Sequence, residues 1–465
     1  MTDRGPAHPK SILRGHKTSV HAAAFIRGNE RLLTGDADGF VIVWDLTILR
    51  PRAVWQAHDG AILGFSSWGP DRIITHGRDN KLIVWKLGVA EETGLSTTLP
   101  LDPSPEPRPK PWILYMLSIN TMNFCSFAHC PASPHDTDPT PDLLVAVPNT
   151  LFSEAVDIFH LPTQERRHTI RLEDKGGMVM ALALLHLHST LTLAAGYENG
   201  VVATAQLLPS TGWTTTYHVQ PHSQPVLSLA LSPSHDYFLT SSADALLIKH
   251  PLPSPSTVPA PPPPDTTTTT KTATIPDPDL DPKPTSLLSA ALGPKPTSLL
   301  SAALGPKPQT PQTATAREPL AVLNTRHAGQ QALAVRSDGR VFATAGWDAR
   351  VRVYVPQGPM REVAVLKWHQ AGCYALAMAD VGGPPLVSGE EGVGAVEGGR
   401  GAELVKGEAS HGGSGKGSEG GSSIATTTKG RGELSVREKR IRQAKEGHWI
   451  AAGSKDGKVS LWDIY

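Results

Sequence analysis

Histidine and aspartate recur along this 465-residue chain at a spacing that could do acid–base chemistry. His16 stands before Asp38, His58 before Asp79 and His327 before Asp348, with Thr34, Thr75 and Thr344 inside the respective intervals. An imidazole oriented by a carboxylate is the base of a nucleophilic site, and a hydroxyl is what such a base activates. Each set, however, also ends on an aromatic residue, Trp44, Trp85 or Tyr354, and the chain closes on the same wording with Asp456 and Trp462. A reaction needs one such site, so a set repeated down the chain has a structural role. Two other stretches invite a chemical reading. "GSGKGSEGG" (Gly413–Gly421) has the look of a phosphate loop, but Gly417 occupies the place of the metal-holding Ser or Thr, and no strand leads into it. "CSFAHC" offers Cys125, His129 and Cys130 without the second half that a metal site needs, and alternation on a half-buried strand explains it. With no nucleophile motif and no carboxylate pair, the expectation is a protein that is not an enzyme, with no catalytic, cofactor-binding or metal-binding residues.

The elements that position these residues come from a repeat. "SILRGHKTSVHAAAF…RLLTGDADGFVIVWDL" (Ser11–Leu46) matches "RAVWQAHDGAILGFSSW…RIITHGRDNKLIVWKL" (Arg52–Leu87) at an offset of about 41 residues. Gly-His or Ala-His early and Trp-Asp late, at that period, is the signature of a WD40 propeller blade. Short β-rich runs alternate with turns such as "DADG" and "GRDN". In such a blade a His before the first strand, a Thr on the second, an Asp in the following turn and a Trp on the third form one buried hydrogen-bonded chain. It stabilises only when every member finds a partner. The predicted chains are His16, Thr34, Asp38, Trp44; His58, Thr75, Asp79, Trp85; and His327, Thr344, Asp348, Tyr354; Asp456 and Trp462 belong to the last copy. Another copy carries His222, Thr240 and Asp244, with His250 at the Trp position; those around Leu207 and over Trp112–Leu161 are weaker. The last begins at "VAVLKWHQAGCYALAMAD" and resumes at "HWIAAGSKDGKVSLWDIY", which makes seven. The predicted fold is therefore all-β, a seven-bladed WD40 propeller over residues 11–465. A propeller keeps exposed sheet edges unless its ring closes, so Ser11–Arg14 is expected to pair with the strand ending at Trp462–Ile464.

Three segments interrupt the repeat: a Pro-rich insertion at 88–111, a Pro/Thr-rich linker at 251–317 between copies five and six, and a Gly-rich, basic-ended insertion at 382–447 inside the last copy. Seventeen of the 42 prolines fall between Pro251 and Pro311, a composition that cannot bury enough apolar surface to fold. The duplicated "PKPTSLLSAALG" there reads either as a slippage duplication or as a docking motif presented twice. "REKRIRQAKEG" reads as a solvated loop helix or as a nuclear-localisation signal. Lys plus Arg and Asp plus Glu both number 43, so no net field draws in nucleic acid or an anionic membrane. Three cysteines are too few for a disulfide framework, which fits a reducing compartment. With no signal-peptide core and no long apolar run, a soluble intracellular protein is expected.

The stretches "LRGHKTSVHAAAF", "THGRDNKLIVWKL", "PLAVL", "AGWDARVRVY" and "AAGSKDGKVSLWDIY" resemble the ASTRA-associated protein 1 family, fungal WD-repeat proteins similar to the animal G-protein β-subunit-like protein. The resemblance implies a non-catalytic scaffold subunit of the ASTRA complex, linked to chromatin remodelling and to maturation of phosphatidylinositol-3-kinase-related kinases. It implies kinase-related and co-chaperone subunits and RuvB-like AAA+ helicases as partners, with no direct contact to nucleic acid or membrane. A monomeric propeller in a hetero-complex, nuclear and also open to the cytoplasm, is the expectation; no partner-binding residues carry over. The alternative is a WD40 substrate receptor of a cullin-type ubiquitin ligase. Such receptors resemble one another in an Arg or Lys shortly after Trp-Asp, where this chain has Leu46-Thr47 and Ile464-Tyr465.

Overall fold

The chain is described here by a computed structural model over residues 7–103, 107–120, 124–136, 138–173, 175–253, 318–382 and 434–464. The Gly413–Gly421 loop and the duplicated 12-mer lie outside these residues, as does most of 251–317 and of 382–447. Seven four-stranded antiparallel sheets form the blades of a propeller. Blade 7 is closed by β1 (Ser11–Arg14). Blade 1 holds β2 (Val20–Ile26), β3 (Arg31–Asp36), β4 (Phe40–Asp45) and β5 (Arg50–Gln56). Blade 2 holds β6 (Ile62–Trp68), β7 (Arg72–Gly77), β8 (Lys81–Lys86) and β9 (Trp112–Ser118). Blade 3 holds β10 (Ala128–Pro131), β11 (Leu143–Pro148), β12 (Ala155–Leu161) and β13 (Glu165–Arg171); Trp112 therefore belongs to the second blade and not to the third. Blade 4 is β14 (Val179–Leu187), β15 (Thr190–Tyr197), β16 (Val202–Leu208) and β17 (Gly212–Val219). Blade 5 is β18 (Val226–Leu231), β19 (Tyr237–Ser242), β20 (Leu246–Pro251) and β21 (Ala321–Asn324). Blade 6 is β22 (Gln330–Val335), β23 (Phe342–Gly346), β24 (Arg350–Val355) and β25 (Arg361–Lys367). Blade 7 begins with β26 (Cys373–Met378), passes helix α1 (Val436–Glu446), and continues with β27 (Trp449–Ser454) and β28 (Lys458–Asp463).

The ring closes where the repeat predicts: β1 pairs with β28, Ser11 opposite Leu461 and Arg14 opposite Lys458. Second and third strands such as "RIITHG" and "KLIVWK" are buried along nearly their whole length because each sheet is covered on both faces by its neighbours. The core is accordingly split into seven apolar clusters, one between each pair of adjacent blades. Gly39, at φ +80° in the β3–β4 turn, lies against the His58 carbonyl of the next blade, where a Cβ would come within 2.0 Å of the oxygen. Only a glycine allows that approach.

The Pro-rich segment after β8 packs back on blade 1. Its short 3-10 helix (Glu91–Gly94) buries Glu92 fully, among the guanidinium groups of Arg27, Arg31 and Arg52. Val54 N–H donates to the Ser96 carbonyl at 2.7 Å and Leu101 N–H to the Gly15 carbonyl at 3.2 Å, so the segment straps the outer edge of β5. Helix α1 opens on a capping box of Ser435 and Glu438 and is solvated along nearly its whole length. Its C-terminal end docks on blade 1: Ala444 is buried, Asn29 donates to the Lys445 carbonyl, and Lys445 pairs with Glu30. Among the described residues, no helix is long and apolar enough to cross a membrane.

Candidate functional site

The buried polar chains show what the recurring His–Asp pairs do. In blade 2, Trp85 Nε1–H donates to Thr75 Oγ1 at 2.9 Å, Thr75 meets His58 Nε2 at 2.7 Å, and His58 Nδ1 meets Asp79 at 2.8 Å. A carboxylate only accepts, so Nδ1 carries the imidazole proton, Nε2 accepts from the threonine hydroxyl, and the hydroxyl accepts from Trp85. Burial alone would raise the Asp79 pKa; the His58 hydrogen bond and charge, with Asp59 N–H and Lys81, outweigh it and bring it down to about 2. Every donor and acceptor is spent inside the blade.

In blade 1 the chain runs Trp44–Thr34–His16 in the same way, at 2.8 and 2.7 Å. Its carboxylate is Asp36 and not Asp38: His16 Nδ1 meets Asp36 Oδ2 at 2.8 Å, while Asp38 is exposed. Asp36 wins because its second oxygen also accepts the Asp38 and Phe40 amides of the turn, at 3.1 and 2.9 Å. In blade 2 the equivalent position is Gly77, where a Cβ would lie 2.3 Å from the His58 ring. Blade 5 extends the pattern, with His250 in the place of tryptophan. Asp244 holds His222, His222 meets Thr240 at 2.8 Å, Thr240 meets His250 Nε2 at 2.8 Å, and His250 Nδ1 meets the Tyr217 hydroxyl at 2.8 Å. Burial first, then the nearby His222, pushes His250 well below the usual histidine range.

Blade 6 corrects the sequence reading further. Three residues separate His16, His58 and His222 from their first strands, but only Ala328 and Gly329 separate His327 from β22. That missing residue turns His327 outward, its side chain 41% exposed and 3.8 Å from Asp348. Gln330 takes its place on Thr344 at 2.6 Å, and the fully buried Arg352 pairs with Asp348. Tyr354 stacks on Phe342, with ring centroids 5.1 Å apart. In blade 7 Trp462 Nε1–H donates at 2.9 Å to Ser460, which meets His369 Nε2 at 2.8 Å; His369 Nδ1 lies 3.7 Å from Asp456. Here the hydroxyl sits on the third strand, opposite Ala452 on the second, so the hydroxyl and His369 were both missed from sequence. The signal was present as "WHQAGC", with His369 three residues clear of β26.

Cys125, His129 and Cys130 do not converge. The two thiols are buried between blades 3 and 4, where desolvation raises both, Cys130 to about 12. His129 instead reaches Ser66 of blade 2 at 2.5 Å. Among the described residues no group of three His, Cys, Asp or Glu could hold a metal ion.

Among the described residues a cavity of about 270 Å³ opens at the centre of the ring. It is built by a device repeated on six first strands. Each carries a β-bulge after its first paired residue: Val20/Ala22, Ile62/Gly64, Val179/Ala181, Val226/Ser228, Gln330/Ala332 and Cys373/Ala375. The six residues skipped by the pairing, His21, Leu63, Met180, Leu227, Gln331 and Tyr374, all line the cavity. A bulge re-aims a side chain without ending the strand. Blade 3 has no such bulge on β10, and Phe124, 56% exposed, stands there with the Arg78 guanidinium 4.3 Å over its ring. His21 stacks on Tyr374 at 5.5 Å, and its pKa is lowered chiefly by burial. Trp347, 48% exposed, donates its indole N–H to Gln331 at 2.8 Å. Phe124, Phe127 and Tyr374 set aromatic rings into a lining whose exposed surface is more polar than apolar, a mixture that suits the grip of a partner's side chain.

A family model described as "WD domain, G-beta repeat" matches residues 7–45, 213–248, 317–354 and 440–463. The chain is 51% identical to ASTRA-associated protein 1 of Pyricularia oryzae, covering 99% of this chain and 98% of that protein. It is 48% identical to ASTRA-associated protein 1 of Verticillium alfalfae, over 98% and 93%. The protein of the same name in Schizosaccharomyces pombe is 29% identical over 79% of this chain and 92% of its own length.

Proposed function

The chain belongs to the ASTRA-associated protein 1 family, and from that premise we propose that it is a non-catalytic scaffold of a multiprotein complex of the ASTRA type. In this reading it acts in the nucleus and also in the cytoplasm. It serves chromatin remodelling and the maturation of phosphatidylinositol-3-kinase-related kinases, beside co-chaperone subunits and RuvB-like AAA+ helicases. The observation that carries the non-catalytic part is that the His–Asp pairs of blades 1, 2 and 5 are consumed by hydrogen bonds within their own blades. The cavity mouth offers side chains that can bind a protein segment.

The test is native purification of the tagged chain with quantitation of RuvB-like helicases and kinase-related subunits. Phe124→Ala with Tyr374→Ala removes aromatic surface from the mouth and should reduce recovery of at least one subunit while the protein stays folded. A wild-type chain that recovers neither class of subunit refutes the complex. A double variant that recovers everything refutes the mouth as its contact.

A further inference from the structure

The outer strands of the seven blades are not equally protected. Edge strands with unpaired backbone groups are templates for another strand, and charges, brevity or a cover normally blunt them. Here β1 and β21 have four residues each. β13 and β25 carry Glu165, Arg166, Arg167 and Arg171, and Arg361, Glu362 and Lys367. β17 carries three consecutive threonines, and β5 is covered by the strap at Ser96. β9 and β17 are the two long outer strands without a charge or a cover, and of these only β9, "WILYMLS", exposes large apolar side chains; it ends its sheet with no described strand beyond it. Trp112 is 75% exposed, Ile113 44% and Met116 51%. Pairing opposite β8 and a bulge at Val84/Trp85 set Ile113 and Met116 on the face opposite that of Trp112, so apolar surface flanks the open edge on both sides.

The charges beside this edge are mainly basic, with Asp71 next to Arg72 as the described exception. Lys86 lies directly across from Trp112, and Lys110 precedes it by two residues. Both are exposed, and among the described residues neither has a carboxylate partner. Behind them Arg72 stacks on Trp68 at 4.7 Å. Two copies pairing β9 to β9 in antiparallel fashion would leave these lysines unneutralised at opposite ends of the ladder, and a parallel pairing would bring them together. An acidic partner would neutralise them.

We propose that the β9 edge of blade 2 takes up an extended segment of a partner protein as a fifth, antiparallel strand, with alternating apolar side chains and acidic residues at its C-terminal end. An antiparallel strand brings that end to Lys86 and Lys110. Main-chain pairing supplies the attachment, and Trp112, Ile113 and Met116 supply the selectivity. The inference rests on the scaffold reading and deepens it by naming one contact.

The experiment uses the full chain and a fluorescent heptapeptide of alternating Val and Thr ending in Glu-Glu, followed by anisotropy. Binding is expected to weaken at least about tenfold in Ile113→Lys/Met116→Lys. The same loss is expected when alternate peptide amides of one edge are N-methylated. Binding should be unchanged in Val363→Lys, an exposed site on β25. Lys86→Glu/Lys110→Glu should reject the Glu-ended peptide and accept a Lys-ended one, an outcome that loss of folding cannot produce. The proposal is overturned by absence of binding, by equal binding of the N-methylated peptide, or by indifference to the β9 substitutions. It is equally overturned by a wild-type dimer that Met116→Lys dissolves, which would make a second copy the occupant. Subunit recovery by native purification is a separate readout: it can stand while the peptide fails, and then only the β9 contact is lost.

Discussion

Replacing Asp36 by alanine should destabilise the propeller severely, while the same change at Asp38 should be nearly silent. Asp36 is fully buried and accepts three hydrogen bonds, from His16 Nδ1–H and from the amides of Asp38 and Phe40. Without it the buried His16 donor has no partner, which costs about 1–3 kcal/mol. The two turn amides are part-buried and can turn to water, so each adds about 0.5–1.5 kcal/mol at most. The total is roughly 2–6 kcal/mol, a large share of the 5–15 kcal/mol or so that holds a domain together. Asp38 is exposed and only its backbone serves the turn, so its loss should stay within about 0.5 kcal/mol. Asp36→Asn keeps an oxygen that can accept from Nδ1 and should fall between the two. Urea unfolding of the three variants and the wild type, at pH 7.5, reads the differences as shifts in midpoint. An Asp38→Ala variant as unstable as Asp36→Ala would refute the assignment of the carboxylate.

Three further outcomes follow from the geometry. His76 is fully buried with neither ring nitrogen hydrogen-bonded, and desolvation first, then His58, lowers its pKa to about 3. Its folded pKa lies below the unfolded value of about 6.5, so the unfolded chain binds the extra proton. Stability is then full above pH 6.5 and falls by up to about 1.4 kcal/mol per pH unit towards pH 3; His76→Phe should flatten that slope in a pH series of melting curves, and an unchanged slope counts against it. Deleting residues 1–14 removes β1 and the buried Leu13, worth about 1.5–3 kcal/mol, and opens the β28 edge, so an unchanged melting temperature would contradict ring closure. Glu92→Gln leaves three guanidinium groups facing a neutral amide. Removing one member of a buried pair costs up to about 3–5 kcal/mol, less here because the Arg52 side chain is 39% exposed; a melting temperature equal to wild type would show that the strap does not depend on this carboxylate.

The fold was legible because each blade repeats a physical solution. Buried third strands such as "FVIVWD" and "KLIVWK" need apolar residues on both faces, and Trp44 and Trp85 then need a hydroxyl for their indole N–H. The polar chains were legible only where spacing held. "GDADG" offers two carboxylates two residues apart, and sequence alignment favoured Asp38 because Asp79 aligns with it; the choice turns on which oxygen also closes the turn, a three-dimensional matter. In blade 6 the lead-in is one residue short, so alignment by residue type captured His327 while the register placed Gln330 on Thr344. The strap at 88–111 was read as a Pro-rich spacer because proline content says nothing about a lone Glu92 that three separated arginines surround.

The cavity mouth was illegible for a different reason. A period-two strand pattern assigns each residue to one face or the other, and a bulge breaks that parity at one position. In "SVHAAAF", "AILGFSS" and "GCYALAM" the residue that leaves the sheet, His21, Leu63 or Tyr374, is an ordinary strand residue by type. Because it contributes no ladder partner to its own sheet, its side chain is free of the packing that fixes Val20, Ile62 and Cys373 between the blades. The propeller thus separates two duties within single strands: paired residues hold the ring, and skipped residues furnish the cavity. A substitution at a skipped position should therefore change what the mouth recognises far more than it changes stability, whereas a substitution one residue earlier should do the reverse.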